Sequence, residues 1–143
     1  NIDTKVFYTS LGGFDTHANQ QDKQARLLSQ YAESISSFVK DLKQNGTFKD
    51  TLILTFSEFG RRVKQNAANG TDHGAANNVF VIGKNLKQAG FYNNLASLKD
   101  LDSNGDLKYE IDFRTVYATI LSKWLNANDE VVLNQNFKKL SFI

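Results

Sequence analysis

Apolar and polar positions follow two different periods along this chain, and the change from one to the other marks out its elements. Lys5 to Ser10, with Val6-Phe7-Tyr8 at its centre, reads as a short strand of the buried type. It runs into Leu11-Gly12-Gly13-Phe14-Asp15-Thr16-His17, a loop whose glycines permit unusual backbone angles. From about Asp22 to Asn45, the residues Leu28, Tyr31, Ala32, Ile35, Phe38, Val39 and Leu42 recur at three- and four-residue intervals, which predicts one face of an amphipathic helix. Asp22 lies near the positive start of its dipole and Lys40 and Lys43 near the negative end, while Gly46 is placed for a left-handed stop.

Asp50 to Ser57 follows as a continuous apolar and β-branched run, the pattern of a central strand covered on both faces. A polar, glycine-punctuated loop from Glu58 to Gly74 leads to a third strand, Asn78 to Gly83. Gly90 to Asp112 reads as a turn-rich excursion with a hairpin around Asp102-Ser103-Asn104-Gly105-Asp106. Phe113, Val116, Tyr117, Ile120, Leu121, Trp124 and Leu125 then mark a second amphipathic helix, with Asp112 as its N-cap and the aromatic residues in its core. Strand, helix, strand predicts a parallel crossover. The expectation is therefore an α/β fold with functional loops at strand ends, forming one domain, or part of one, over residues 1–143.

Composition narrows the classes. The 143 residues are 41% hydrophobic and 22% charged, as in an ordinary soluble domain. Seventeen basic and fifteen acidic residues are spread without a dense basic block, so nucleic acid is not an expected partner. No run approaches the roughly 18 apolar residues of a membrane span, and no signal peptide is present. The chain opens at Asn1 and has no Met, which suggests a cut or processed chain whose export signal lies elsewhere. The absence of Cys removes disulfides, thiolate nucleophiles and Cys-based zinc sites from these residues.

The chemistry concentrates in two places. Both histidines stand beside an aspartate in a glycine-bearing loop, as Asp15-Thr16-His17 and Gly70-Thr71-Asp72-His73-Gly74. In an extended segment residues two apart share a side, so Asp15 and His17 could ligate one cation together. Asp72 and His73 are consecutive and point apart, which suits either two neighbouring ions or one ligand and one partner that fixes an imidazole. The metal candidates are thus Asp15, His17, Asp72 and His73. Glu58, at the end of the Asp50 to Ser57 strand, faces the crevice where α/β sheets bind ligands and is a candidate ligand or general base. Arg61 and Arg62 could meet a tetrahedral oxyanion, or hold the loop by an ion pair with Glu58. Asp100 to Asp106 has the opening oxygens of a calcium loop, but the twelfth position is Ile111, with Glu110 one place early.

Through Gly12-Gly13-Phe14-Asp15-Thr16-His17, Ser57-Glu58-Phe59-Gly60-Arg61, Gly70-Thr71-Asp72-His73-Gly74 and Asp112-Phe113-Arg114-Thr115-Val116-Tyr117-Ala118, the sequence resembles a bacterial family. This is domain-of-unknown-function family fifteen-oh-one, of the alkaline phosphatase and sulfatase superfamily. The resemblance implies a sulfatase-like central sheet, mostly parallel and flanked by helices, of which this chain is the C-terminal part. It also implies one or two divalent cations (Zn, Mn or Ca) held by Asp15, His17 and His73, with Glu58 at the place of a further strand-end acid. Where metal phosphatases carry Asp-His after that strand, this sequence has Glu58-Phe59, a departure at the second metal site. The implied activity is hydrolysis of phosphate or sulfate esters, small-molecule or glycan, in a periplasmic or extracellular setting. Arg61 would neutralise charge on the equatorial oxygens. The nucleophile is expected in the N-terminal part of the same protein, so the isolated chain is expected to be inactive. The alternative is a non-catalytic exported module that binds a ligand or glycan through the same fold.

Overall fold

A computed structural model describes residues 3–143. The chain forms two compact units. One comprises Leu11–Lys84 and Leu95–Tyr109; the other comprises the chain up to Ser10 with Asn85–Asn94 and Glu110–Ile143.

The first unit is organised by helix α1, Gln20–Gln44. Its inward stripe is Leu27, Tyr31, Ile35, Val39 and Leu42, of which Leu27 and Leu42 are buried. The predicted apolar face is wider than the covered one, because Leu28 and Phe38 are about half exposed. Asp22 and Lys43 occupy the first and last turns, and Gly46 follows with φ 71, as the periodicity and the dipole argument predict. After a short 3₁₀ turn, strand β1, Leu52–Thr55, lies beside α1, joined to it by a Tyr31 to Thr55 hydroxyl hydrogen bond of 3.0 Å.

Three further strands complete this unit: β2, Gly60–Gln65; β3, Thr71–Gly74; and β4, Phe80–Gly83. β1 pairs with β4 and β2 with β3, both antiparallel. This departs from the expected parallel crossover. Lys5 to Ser10 is exposed and pairs with no strand among the described residues, so the strand predicted there is not formed. The polar stretch from Glu58 to Gly74 is a hairpin rather than a loop. Its alternation is weak because backbone and side-chain hydrogen bonds to the loop before α1 hold it, in place of an apolar face.

The predicted turn at Asp102 to Asp106 forms. Leu101 pairs with Leu107, and the Asp102 carboxylate accepts from the backbone N–H groups of Asn104 and Asp106 at 2.9 and 2.8 Å. Asp100 is paired with Lys108 and Asp106 with Arg62, so these carboxylates brace a turn instead of opening toward a calcium ion.

The second unit is built on helix α2, Phe113–Lys123. Asp112 caps it by accepting from the Arg114 backbone N–H at 2.9 Å, and the Arg114 guanidinium pairs with the same carboxylate. Val116, Ala118 and Thr119 form its buried side, joined by Phe137 and Phe142 from the C-terminal tail. Phe113 is about half exposed, against the expectation that it is core. A short helix α3, Asp129–Leu133, is capped by Asn128. Among the described residues no helix is long and apolar enough to cross a membrane.

Candidate metal centre

The site lies within the first unit, where the loop preceding α1 meets the β2–β3 hairpin. Thr16 is only 1% exposed, and its hydroxyl is tied to the Phe14 carbonyl and to Gln24 of α1. With Thr16 turned inward, Asp15 and His17 on either side of it are both turned out to solvent.

The hairpin is fastened to this loop at three points. The first N–H groups of a helix have no partner within it. Here the Asn19 and Gln20 N–H groups donate to the carbonyls of Ala68 and Asn69, at 3.0 and 2.9 Å. Asn66 accepts from the N–H groups of Ala68 and Gly70 and donates to the His17 carbonyl at 2.9 Å, so one side chain shapes the turn and binds it to the loop. Gly70 is buried against the His17 peptide, where a β-carbon would come within 2.2 Å of the carbonyl carbon. The third fastening is Arg61, whose guanidinium donates to the carbonyls of Thr71 and Phe14, both at 2.5 Å, and approaches the Asp15 carboxylate at 3.3 Å.

These fastenings bring together residues far apart in sequence. Asp15 Oδ1 lies 2.9 Å from Nε2 of His17 and 2.9 Å from Nε2 of His73. One ligand atom from each of the three residues falls within 4.8 Å of the other two. The imidazole rings lie 5.0 Å apart between centroids. All three side chains are about half exposed, so the cluster opens to solvent on one side. The hydrogen bond from His73 holds the Asp15 carboxyl below the usual aspartate range, and His17 and Arg61 act in the same direction. Asp15 is therefore an anion, ready to serve as a hard ligand.

The other candidates are placed differently. Asp72 is not one of the three converging residues. Its Oδ1 faces Nδ1 of His17 at 3.4 Å, on the ring nitrogen away from Asp15. Hydrogen bonds from Asn66 and then His17 lower its carboxyl. Glu58 is exposed after β1 and stands outside the cluster. Arg61 gives three of its five N–H donors to two backbone carbonyls and Asp15, so it clamps the hairpin to the loop. Arg62 pairs with Asp106 at 3.2 Å, a partner other than the Glu58 of the expected loop-holding ion pair.

Two contributions have no counterpart among the sequence expectations. Phe59 stacks flat on His73, with centroids 3.9 Å apart and planes 6° from parallel, and the Arg61 guanidinium lies 5.0 Å from the Phe59 centroid. The phenyl ring thus fixes the orientation of one imidazole. Asn66 is the other. The Asn69-Gly70 pair, with Asn69 at φ 58, was the turn signal that could have revealed this hairpin.

One carboxylate and two imidazoles with an open side form a donor set suited to a borderline transition-metal ion, with room for a fourth ligand. Calcium, which takes six to eight oxygens, fits this set poorly. The family model described as "Protein of unknown function (DUF1501)" matches residues 3–136. No curated protein and no solved structure matches the chain.

Proposed function

The chain belongs to this family, and we propose that within it Asp15, His17 and His73 hold one divalent transition-metal ion, Zn or Mn, in an exported hydrolase of phosphate or sulfate esters. The observation that carries this reading is the meeting of Asp15 Oδ1 with both Nε2 atoms at 2.9 Å. Such an ion would supply Lewis-acid polarisation of the ester oxygen and lower the pKa of a bound hydroxyl or water. The chain's own residues bind and orient. Asp15 and the two imidazoles are the ligands, Arg61 anchors Asp15, and Phe59 holds the His73 ring. Glu58 is assigned no ligand role, and the three ligands leave the nucleophile to another part of the protein.

The placement in the alkaline phosphatase and sulfatase superfamily, with its mostly parallel sheet, belongs to the same proposal. It is supported by the order of the four motifs along the chain. Phe59, part of the departure at the second metal site, stacks on His73, which supports a one-ion site.

The test is the metal content of the full-length protein after dialysis, with activity on a panel of phosphate and sulfate esters. About one Zn or Mn per chain is expected, lost in His17→Ala and His73→Ala, with ester hydrolysis lost in parallel. A wild-type protein without bound metal would end the reading, and metal uptake without turnover would return the binding-module alternative.

A further inference from the structure

The residue that accompanies His73 in sequence has its own place in this site. Asp72 precedes His73 on β3, yet it reaches the opposite nitrogen of a different histidine. The imidazole of His17 stands between two carboxylates, with Asp15 at Nε2, 2.9 Å away, and Asp72 at Nδ1, 3.4 Å away. An ion shared by Asp15, His17 and His73 meets His17 through Nε2. The far side of the ring is then closed to that ion, and Asp72 cannot ligate it without displacing the imidazole. A metal-bound histidine nevertheless retains a proton on its other nitrogen, and that N–H requires an acceptor. Asp72 is the group in position to provide one.

The acceptor is itself held. Asn66 Nδ2 lies 3.4 Å from the same Asp72 oxygen and donates to the His17 carbonyl at 2.9 Å. One carboxamide therefore ties together the histidine backbone and the carboxylate facing its ring. Asn66 in turn is locked by the two turn N–H groups it accepts.

Resting on the cation-site reading above, we propose that Asp72 is a positioning residue. It accepts the Nδ1–H of His17, which leaves Nε2 unprotonated and aimed at the ion, and Asn66 holds the carboxylate in register. The pair is the chain's means of fixing both the tautomer and the rotation of one ligand whose ring is about half exposed and meets the His73 ring at a tilt, where Phe59 lies flat on His73.

The experiment uses the full chain with ¹⁵N-labelled histidine, titrated with Zn²⁺ alone and read by calorimetry and by the nitrogen spectra of the imidazoles. The variants are Asp72→Ala and Asp72→Glu. Asp72 is exposed, so both are expected to fold, and their urea midpoints check this. In the Zn-loaded wild type, His17 should show a metal-bound Nε2 and a slowly exchanging Nδ1–H. Asp72→Ala should weaken Zn binding by about 10–100-fold and speed exchange of that proton. Asp72→Glu should recover part of both. Unchanged affinity and exchange in Asp72→Ala would overturn the positioning role while leaving the cation site intact. Weakened affinity with an unchanged Nδ1–H signal would make Asp72 a ligand and also overturn it. A wild type that takes up no Zn²⁺ removes the site and this role together.

Discussion

Gly70→Ala probes the joint on which the site depends. A β-carbon at this position would sit 2.2 Å from the carbonyl carbon of His17, 2.3 Å from its oxygen and 2.7 Å from the Ala18 nitrogen. All three are backbone atoms, so no rotamer change relieves the overlap. Non-bonded carbons rest at about 3.5–4.0 Å, and the hairpin and the loop must therefore part by more than about 1 Å. Gly70 does not adopt a positive φ, which makes this a test of space and not of backbone freedom. Overpacking of this kind costs about 1–3 kcal/mol. At this chain length each kcal/mol lowers Tm by about 2–4 °C. Metal ligands tolerate only about 0.2 Å of displacement, so the same separation should withdraw His73 from Asp15 and weaken Zn²⁺ binding by at least about tenfold. Gly12→Ala, with nothing within 4 Å of its added carbon, is the control for a neutral methyl in the loop before α1. Urea unfolding and calorimetric Zn²⁺ titration of both variants form the assay. If Gly70→Ala matches Gly12→Ala within about 0.5 kcal/mol and binds Zn²⁺ like the wild type, this contact does not set the geometry.

Arg61→Lys keeps the charge but loses the planar fork that meets Thr71, Phe14 and Asp15, and urea unfolding should show a loss of about 1.5–3 kcal/mol. A variant as stable as the wild type would show that the clamp is dispensable. The turn at Asp102 should appear in the acid limb of stability. The backbone N–H of Asp106 holds the Asp102 carboxyl below its usual range, helped by that of Asn104. Its contribution is thus complete above the unfolded value of about 3.9 and lost as pH falls through the lower folded value. Urea midpoints measured downward from about pH 5 should fall less steeply in Asp102→Asn than in the wild type. Identical acid slopes would remove Asp102 from that account.

How much of this was legible in the sequence depends on what holds each part together. Helix α1 and its Gly46 stop, the Asp112 cap and the Asp102 turn were all readable, because each rests on side-chain spacing or on a local hydrogen bond within a few residues. The β2–β3 hairpin was not read. Its stretch from Arg61 to Gln65 shows no apolar alternation, and its register shifts between Arg61 and Gln65. What fixes it is long-range: Arg61 reaches back 47 residues to the Phe14 carbonyl, and Asn66 reaches 49 to that of His17. Such partners have no signature in a local window. The antiparallel pairing of β1 with β4 was hidden for a related reason. An apolar run reads the same whether its neighbour lies parallel or antiparallel, and only the partner decides.

The division of labour in the site follows from the same period-two rule that made its residues visible. Asp15 and His17 flank a residue buried to 1% exposure, so both emerge on one side, where the proposed ion would meet them together. Asp72 and His73 are adjacent on β3 and must diverge. One side chain then reaches Asp15 and the other the outer nitrogen of His17. Exchanging their order would put an imidazole against Nδ1 of His17 and a carboxylate against Asp15, leaving one nitrogen donor and two repelling anions at the ion position. An Asp-His order on this strand, facing an Asp-x-His on the loop, therefore gives both a mixed oxygen and nitrogen ligand set and an acceptor for the ring proton. The reverse order on the same backbone would exchange one of the two nitrogen donors for a second carboxylate and take the carboxylate acceptor away from Nδ1 of His17.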